Sequence, residues 1–526
     1  MAYSGGTGEP NDPYQIVNVA DFNQLSIAPN NWNKSFILTA DVNLAGLTFT
    51  QAPIAPDTST RDGFQGTQFK GVFDGNGHKI IYFTINGNDY LGLFGQINYG
   101  GSVKNIGLES CSVSSSSGSY CIGGLVGCNE GGSISDCYSN GSVNGGSNSQ
   151  WVGGLVGNNH GGSISDCYSN GSVNGSSSGV GGLVGGNDGS TITACYAVGT
   201  VNGSSSDVGG LVGSNDSLVN NCYSTGSVSG TDYVGGLVGH NGGMLTGCYA
   251  NGSVSGDVIV GGLVGYNNRG MLTGCYATGT ATCTVPPGAG NPYNIVGGLV
   301  GYNEHGTLIS CYANGSVSGD VIVGGLVGSN YIGVLIGCYA TGSVSGGWGV
   351  GGLVGDNSEG GVLTGCYATG SVTGDANYIG GLVGYVYHSS INGCFWDTQT
   401  SGTSDGVGNV NPDPNGAMGR TTAEMMTLST FTDANGLWDF LGEAANGTDD
   451  YWRMCVDGVD YPRLTWEYVQ DGDFACPDGV GFDDLQRFGD DWLLTYSTPF
   501  YGADANGDKT VNFLDFAILA DNWLNP

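Results

Sequence analysis

One short run, Gly-Gly-Leu-Val-Gly, occurs ten times in this chain, beginning at Gly123, Gly153, Gly181, Gly209, Gly235, Gly261, Gly297, Gly324, Gly351 and Gly380. An imperfect copy, Gly92-Leu93-Phe94-Gly95, comes before them. The intervals between full copies are 30, 28, 28, 26, 26, 36, 27, 27 and 29 residues. A period of this size marks a chain of stacked units, none of which buries its own apolar face alone, and it predicts a solenoid.

A single unit, written from Gly123, is G-G-L-V-G-C-N-E-G-G-S-I-S-D-C-Y-S-N-G-S-V-N-G. Its apolar stretches lie around Leu125-Val126, from Ile134 to Tyr138, and at Val143, with Gly, Asn and Ser between them. Stretches this short, so separated, predict strands joined by tight turns. The chain holds 102 glycines, and each would cost a helix about 1 kcal/mol relative to Ala. Three strands per unit, each stacked in parallel on its counterpart, give an all-β parallel solenoid. At ~4.8 Å per coil, about eleven coils make a rod roughly 50 Å long. The 36-residue interval carries an insertion from Cys283 to Pro292, whose Pro286-Pro287 pair excludes it from a central strand.

Ten of the 16 cysteines hold one place in the unit: Cys137, Cys167, Cys195, Cys222, Cys248, Cys275, Cys311, Cys338, Cys366 and Cys394. No C-x-x-C pair suggests zinc. Buried free Cys behaves as a small hydrophobe. Side chains ~4.8 Å apart in a parallel ladder do not reach the ~3.8 Å Cβ separation of a disulfide. A packed row of thiols is therefore expected. Cys121 with Cys128, and Cys455 with Cys476, are the candidate disulfide pairs. A tyrosine follows most row cysteines, at 138, 168, 196, 223, 249, 276, 312, 339 and 367. If Cys points inward, its neighbour points outward. The rings are expected to stack on one another and shield the sheet; the alternative is an exposed stripe on which sugar rings stack.

The sequence divides into four parts. Residues 1–90 read as an N-terminal cap with the first strands, and 91–397 as the repeats. Residues 398–470 read as a turn-rich linker followed by an aromatic cap containing Trp438, Phe440, Trp452, Tyr461 and Trp466. Residues 471–526 form a separate module. There, Asp504, Asn506, Asp508, Thr510, Asn512 and Asp515 fall at positions 1, 3, 5, 7, 9 and 12 of a calcium loop, Thr510 through its carbonyl. An exiting helix is expected from Phe513, with Phe516, Leu519 and Trp523 on one face. Asp473 to Asp484, followed by Leu485, Phe488 and Trp492, is a degenerate half-copy with Ala475, Pro477 and Gly481 at three ligand places.

Charge narrows the partners. The formal net charge is -34, which disfavours nucleic acid and anionic membranes. No apolar run is long enough to span a bilayer. Met1-Ala2-Tyr3-Ser4 leads straight into polar sequence without a signal peptide, as if Met1 replaced a removed export signal. Catalysis finds little support. Between Lys104 and Arg420, Arg269 is the one basic residue apart from histidines, where a lyase wants cations near an acidic sugar. A glycosidase wants two carboxylates at a set separation; Asp136 and Asp166 occupy equivalent places, and no similar pair recurs. His78, His160, His240, His305 and His388 share no motif.

The unit G-G-L-V-G-x-N … I-x-x-C-Y-A-x-G-x-V resembles the GLUG repeat of bacterial surface and secreted proteins. The opening P-Y-Q-I, L-T-A-D-V-N-L and G-V-F-D-G-N-G-H-K-I runs look like the segment that commonly precedes it. The tandem of Asp-rich loops and helices at the C-terminus is similar to a type I dockerin module. These resemblances imply an extracellular or cell-surface, non-catalytic β-solenoid acting in adhesion or as a scaffold, attached through a calcium-dependent tail to a cohesin-type protein. The alternatives are a carbohydrate-binding or carbohydrate-active β-helix meeting a polysaccharide or cell surface, and a self-associating fibre subunit.

Overall fold

The computed structural model describes residues 3–59, 63–283, 294–374, 377–433, 438–441, 450–467 and 510–522, with 485–486, 488–489 and 492–493. The chain divides into two compact units, Met1–Gly419 and Arg420–Pro526.

The first unit is a parallel β-solenoid. One of its sheets, which gains a strand at each coil, has eleven strands, and this gives eleven coils. Most coils carry five short strands rather than the expected three. In one coil they are Ile259–Gly261, Val264–Asn268, Met271–Thr273, Tyr276–Ala277 and Ala281–Cys283. They pair in parallel with the next coil through Ile259↔Ile295, Val264↔Val300, Leu272↔Leu308, Tyr276↔Tyr312 and Ala281↔Val317.

Two breaks account for the extra strands. The residue before each row cysteine has left-handed backbone, as at Asp136 (φ 53°), Asn221 (φ 51°) and Gly274 (φ 60°), so the strand ends at a corner there. Asp136 and Asp166 are thus exposed turn residues. The second break falls at Gly279, where an added Cβ would lie 1.9 Å from the Gly252 carbonyl oxygen one coil away. Only glycine permits that approach.

Inside, Val260, Leu263, Val264, Leu272, Cys275, Ala277 and Ala281 are all fully buried. Their counterparts in neighbouring coils continue the same ladders, so one apolar interior runs through the unit. The row cysteines are free, buried thiols. Cys275 donates its S–H to the carbonyls of Leu245 (3.6 Å) and Thr273 (3.4 Å), and burial pushes thiols such as Cys167, Cys338 and Cys394 well above the ordinary range. Cys121 and Cys128 are also free thiols, which corrects their expected disulfide. Cys455 is disulfide-bonded; Cys476, its candidate partner, lies outside the described residues, as does the insertion after Cys283.

A second interior ladder is polar. The side-chain amide of Asn129 donates to Asn159 Oδ1 at 2.8 Å. The pattern continues through Asn187, Asn215, Asn241, Asn267, Asn303, Asn330 and Asn357 with separations of 2.7–2.9 Å. All nine are buried. Stacked amides of this kind satisfy in one direction what burial would otherwise leave unpaired.

Helix α1, Val19–Ser26, buries Phe22 and Leu25, and Asn18 Oδ1 caps it by accepting from Ala20 N (2.8 Å) and Asp21 N (3.2 Å). These residues belong to the same apolar interior as the coils. At the other end, residues 398–419 do not behave as a linker. Leu382 N and Val383 N donate to the Gly406 carbonyl at 3.0 and 2.9 Å. The Asn409 side chain bonds both backbone groups of Val386, which stands where earlier coils have the ladder Asn. The edge of the last coil is thereby paired at Leu382, Val383 and Val386.

In the second unit, α2 (Thr422–Met425) starts with a capping box. Thr421 Oγ1 accepts from Glu424 N at 3.3 Å, and Thr421 N donates to Glu424 Oε2 at 2.8 Å. After α3 (Ser429–Thr432), Trp438 lies 4.5 Å from Trp452 and 4.7 Å from Phe431 between ring centroids. Helix α4 spans Phe513–Asn522. Phe516 meets Phe488 at 5.5 Å, and Phe513 meets Trp492 at 5.0 Å.

Candidate functional site: a seam of paired side chains

The final glycine of each Gly-Gly-Leu-Val-Gly run brings two strands of the coil close together. A Cβ on Gly265 would lie 2.5 Å from the carbonyl carbon of Tyr233 in the preceding coil. The row of residues just before the run therefore comes alongside the row just after it, forming a seam down the solenoid. The first row reads Cys121, Trp151, Gly179, Asp207, Tyr233, and then Ile259, Ile295, Ile322, Gly349 and Tyr378. The second reads Cys128, Asn158, Gly186, Ser214, His240, and then Tyr266, Tyr302, Ser329, Asp356 and Tyr385. Side chains of the two rows meet with an offset of one coil: Tyr233 is 4.9 Å from Tyr266, and Trp348, beside Gly349, is 5.2 Å from Tyr385.

From Tyr233 onward the seam is aromatic and acidic. His240 and Tyr302 flank Tyr266 at 5.2 and 5.5 Å, and Tyr266 donates its hydroxyl proton to Glu304. Tyr302 packs on an apolar cluster of Ile259, Ile295 and Ile322. Trp348 crosses Tyr378 at 85° and Tyr385 at 38°. Between Tyr302 and Tyr385 the second row narrows to Ser329 and Asp356. Asp356 Oδ2 accepts from Ser358 Oγ at 3.3 Å and Ser329 Oγ at 3.5 Å, and Oδ1 has no hydrogen-bond partner. Burial pushes the Asp356 carboxyl up to about 6 and the Tyr302 hydroxyl up to about 12. It also raises Asp207 and Asp232. Several first-row side chains sit in left-handed backbone, with φ of 57° at Trp151, 60° at Asp207 and 50° at Tyr233. Such a conformation costs a residue other than glycine of order 1–3 kcal/mol.

The tyrosine row is a different surface. Its nine rings stack face to face from Tyr138 to Tyr367, with centroids 4.8–5.0 Å apart and planes within 11°. Each ring covers its neighbour's face, so the faces are closed to a stacking sugar. Its N-terminal end is closed by Tyr138 Oη donating to Glu109 Oε1 (2.9 Å), which also receives Lys79 Nζ (3.0 Å).

The histidines are scattered. His78 faces Asp41 (3.2 Å), and His160 lies between Glu130 (2.9 Å) and Asp188 (3.5 Å). His305 and His388 are left-handed corner residues. His240 alone of the five lies in the seam, with Nδ1 3.5 Å from Ser214 Oγ.

Of the calcium-loop residues, Asp504, Asn506 and Asp508 lie outside the described residues, as does the half-copy Asp473 to Asp484. The other three, Thr510, Asn512 and Asp515, lie at the start of α4. Asn512 Oδ1 accepts from Leu514 N, Asn512 Nδ2 donates to the Thr510 carbonyl, and Asp515 Oδ2 accepts from Asn512 N, each at 2.8 Å. Among the described residues, no three His, Cys, Asp or Glu side chains are grouped to hold a metal ion, and no helix is long and apolar enough to cross a membrane.

The asparagine ladder and the seam were both missed in the sequence. A signal existed for each. Asparagine recurs two places after every full run but the last, and the two positions flanking x-Val/Ile-Gly-Gly-Leu-Val-Gly-x change from copy to copy while the run does not.

The GLUG motif matches residues 118–144, 149–174, 176–202, 204–229, 230–255, 256–282 and 293–318, seven repeats in all. The chain is 30% identical to halomucin of Haloquadratum walsbyi over 148 residues, covering 26% of this chain and 2% of that protein. It is 32% identical over 131 residues to an Evansella cellulosilytica protein named as a candidate Gly-rich membrane protein, covering 24% of this chain and 15% of that one. It thus spans a small part of either relative. A solved Bacteroides ovatus structure, named as a candidate immunoglobulin A1 protease, is 22% identical, covers 65% of this chain and 80% of its own, and aligns with a TM-score of 0.27.

Proposed function

We propose that this chain is an exported, non-catalytic β-solenoid that acts in adhesion or as a scaffold at the cell surface. The observation carrying this reading is the constancy of the interior against the variation of the seam. Leucine, valine, cysteine and asparagine ladders repeat through the coils, while the seam positions change from Gly179 and Gly186 to Tyr378 and Tyr385. A rod with a fixed interior and a variable outer face suits display of a binding surface. The names halomucin and Gly-rich membrane protein, borne by two relatives, support a surface location.

The C-terminal segment is the proposed point of attachment. Asp504, Asn506, Asp508, Asn512 and Asp515, with the Thr510 carbonyl, are an all-oxygen donor set of the kind a calcium ion takes. Thr510, Asn512 and Asp515 are joined by short bonds at the start of α4, which would bring three of the proposed ligands close together. Bound calcium would neutralise the carboxylates and let the helices pack. The partner would be a cohesin-type protein. The test is a pull-down with an immobilised cohesin-type domain: retention with calcium, lost on chelation and in Asp504→Ala, supports the attachment, and calcium-independent retention or none contradicts it.

A further inference from the structure

The seam from Tyr233 to Tyr385 carries more aromatic surface than the fold requires. The same two rows accept Ile295 against Ser329, and Ile322 against Asp356, in coils of the same pairing and register. Aromatic residues are therefore not needed to close a coil there. Tyr233 is even held at φ 50°, at a position that Gly179 fills in an earlier coil with φ 78°. A bulky side chain kept at such a site at a conformational cost points to a role outside folding.

The rings also differ from the tyrosine row in how they present themselves. Planes in that row lie within 11° of one another. In the seam, Tyr233 is tilted 32° from Tyr266, and Trp348 is nearly perpendicular to Tyr378. All are half-buried, so part of each ring remains accessible. Tyr302 and Tyr385 stand three coils apart, ~14 Å at the usual strand spacing, with the short side chains of Ser329 and Asp356 between them. Ser329 and the partnerless oxygen of Asp356 are buried, so the accessible surface of the seam is the half-buried rings themselves.

From this arrangement we infer that the seam, through Tyr233, Tyr266, Tyr302, Trp348, Tyr378 and Tyr385, binds a linear, uncharged polysaccharide along the solenoid axis. Aromatic rings stack on the apolar faces of sugars, and the half-buried Glu304 carboxylate, which accepts from Tyr266, accepts from sugar hydroxyls. The pyranose repeat of an extended glycan is close to one coil step, so successive sugars meet successive coils in register. Charge selects against acidic glycans. Arg269 is the one Lys or Arg between Lys104 and Arg420 in a chain of net charge -34, and carboxylates repel uronic acids. The inference rests on the surface-display reading above, and names the ligand class for it.

The test presents the full chain to cello-, manno-, xylo- and chito-hexaoses, to polygalacturonate and to a lysine-rich peptide, with binding followed by calorimetry. The variant Tyr302→Ser/Tyr385→Ser copies Ser329 of the same row, so the coil tolerates it; Tyr196→Ser/Tyr223→Ser in the stacked row is the control. The expected result is saturable binding of at least one uncharged hexaose, weakened tenfold or more in the seam variant and unchanged in the control. Absence of binding to every uncharged hexaose overturns the inference. So does binding that survives in the seam variant, or equal binding of polygalacturonate or the peptide. If no hexaose binds while the chain still attaches to cells, the ligand class fails and surface display stands; loss of both defeats the surface reading as well.

Discussion

Asn267 donates its side-chain amide to Asn303 Oδ1 at 2.7 Å and, with the same nitrogen, to the Gly270 carbonyl at 3.1 Å, while its own oxygen accepts from Asn241. The residue thus joins two coils and one corner at a site with no exposure to water. Asn267→Ala breaks these bonds and leaves buried partners unpaired. Leaving each such group unsatisfied costs about 1–3 kcal/mol, so a total loss of about 3 kcal/mol is expected. The midpoint of urea unfolding should fall accordingly, and an unchanged midpoint would contradict it.

Ser169 and Ser224 make the opposite case. Their hydroxyls point into the interior and have no hydrogen-bond partner, in a row where Ala197 and Ala250 stand in neighbouring coils. Removing an unsatisfied buried hydroxyl relieves a desolvation penalty. Ser169→Ala and Ser224→Ala should each stabilise the protein, by about 1 kcal/mol. Thermal melts of the single variants and the double variant would show this, and a lower melting temperature in either single variant would contradict it.

Asp356 gives stability a pH dependence. Its carboxyl is raised to about 6 by burial, so the folded state holds a proton that the unfolded chain releases at lower pH. The favourable contribution is full below pH ~4 and is lost as pH rises through ~6, with a difference on the order of 2 kcal/mol. Asp207 and Asp232, also raised by burial, act in the same sense. Unfolding free energies of the protein and Asp356→Asn, measured from pH 4 to pH 7, should diverge in slope. Parallel profiles would show that the carboxyl titrates normally.

The solenoid was legible because its signal is repeated. Each coil independently reports Leu, Val and Cys at fixed offsets, and a parallel ladder forces equivalent residues to stack. The number of strands per coil was not legible. It depends on corners such as Asp136, Ala194 and Ser310, whose left-handed backbone is plain only where Gly274 or Gly337 fills the same place. The seam was hidden for a related reason. Tyr233 and Tyr266 meet because Gly265 lets two strands approach, and that contact is set by backbone packing between coils rather than by any strand's own pattern. The disulfide expected between Cys121 and Cys128 is not formed; the seam places both as buried free thiols.

The account's central claim is that the interior ladders fold the solenoid while the seam serves its surface. The most direct test measures both properties in one pair of variants: urea unfolding and cell adhesion of the full chain, for Tyr302→Ser/Tyr385→Ser against Asn267→Ala. The account predicts that the seam variant loses adhesion with a smaller fall in midpoint than Asn267→Ala, which loses more stability. A seam variant that loses as much stability as Asn267→Ala, or that adheres like the wild type, would contradict it.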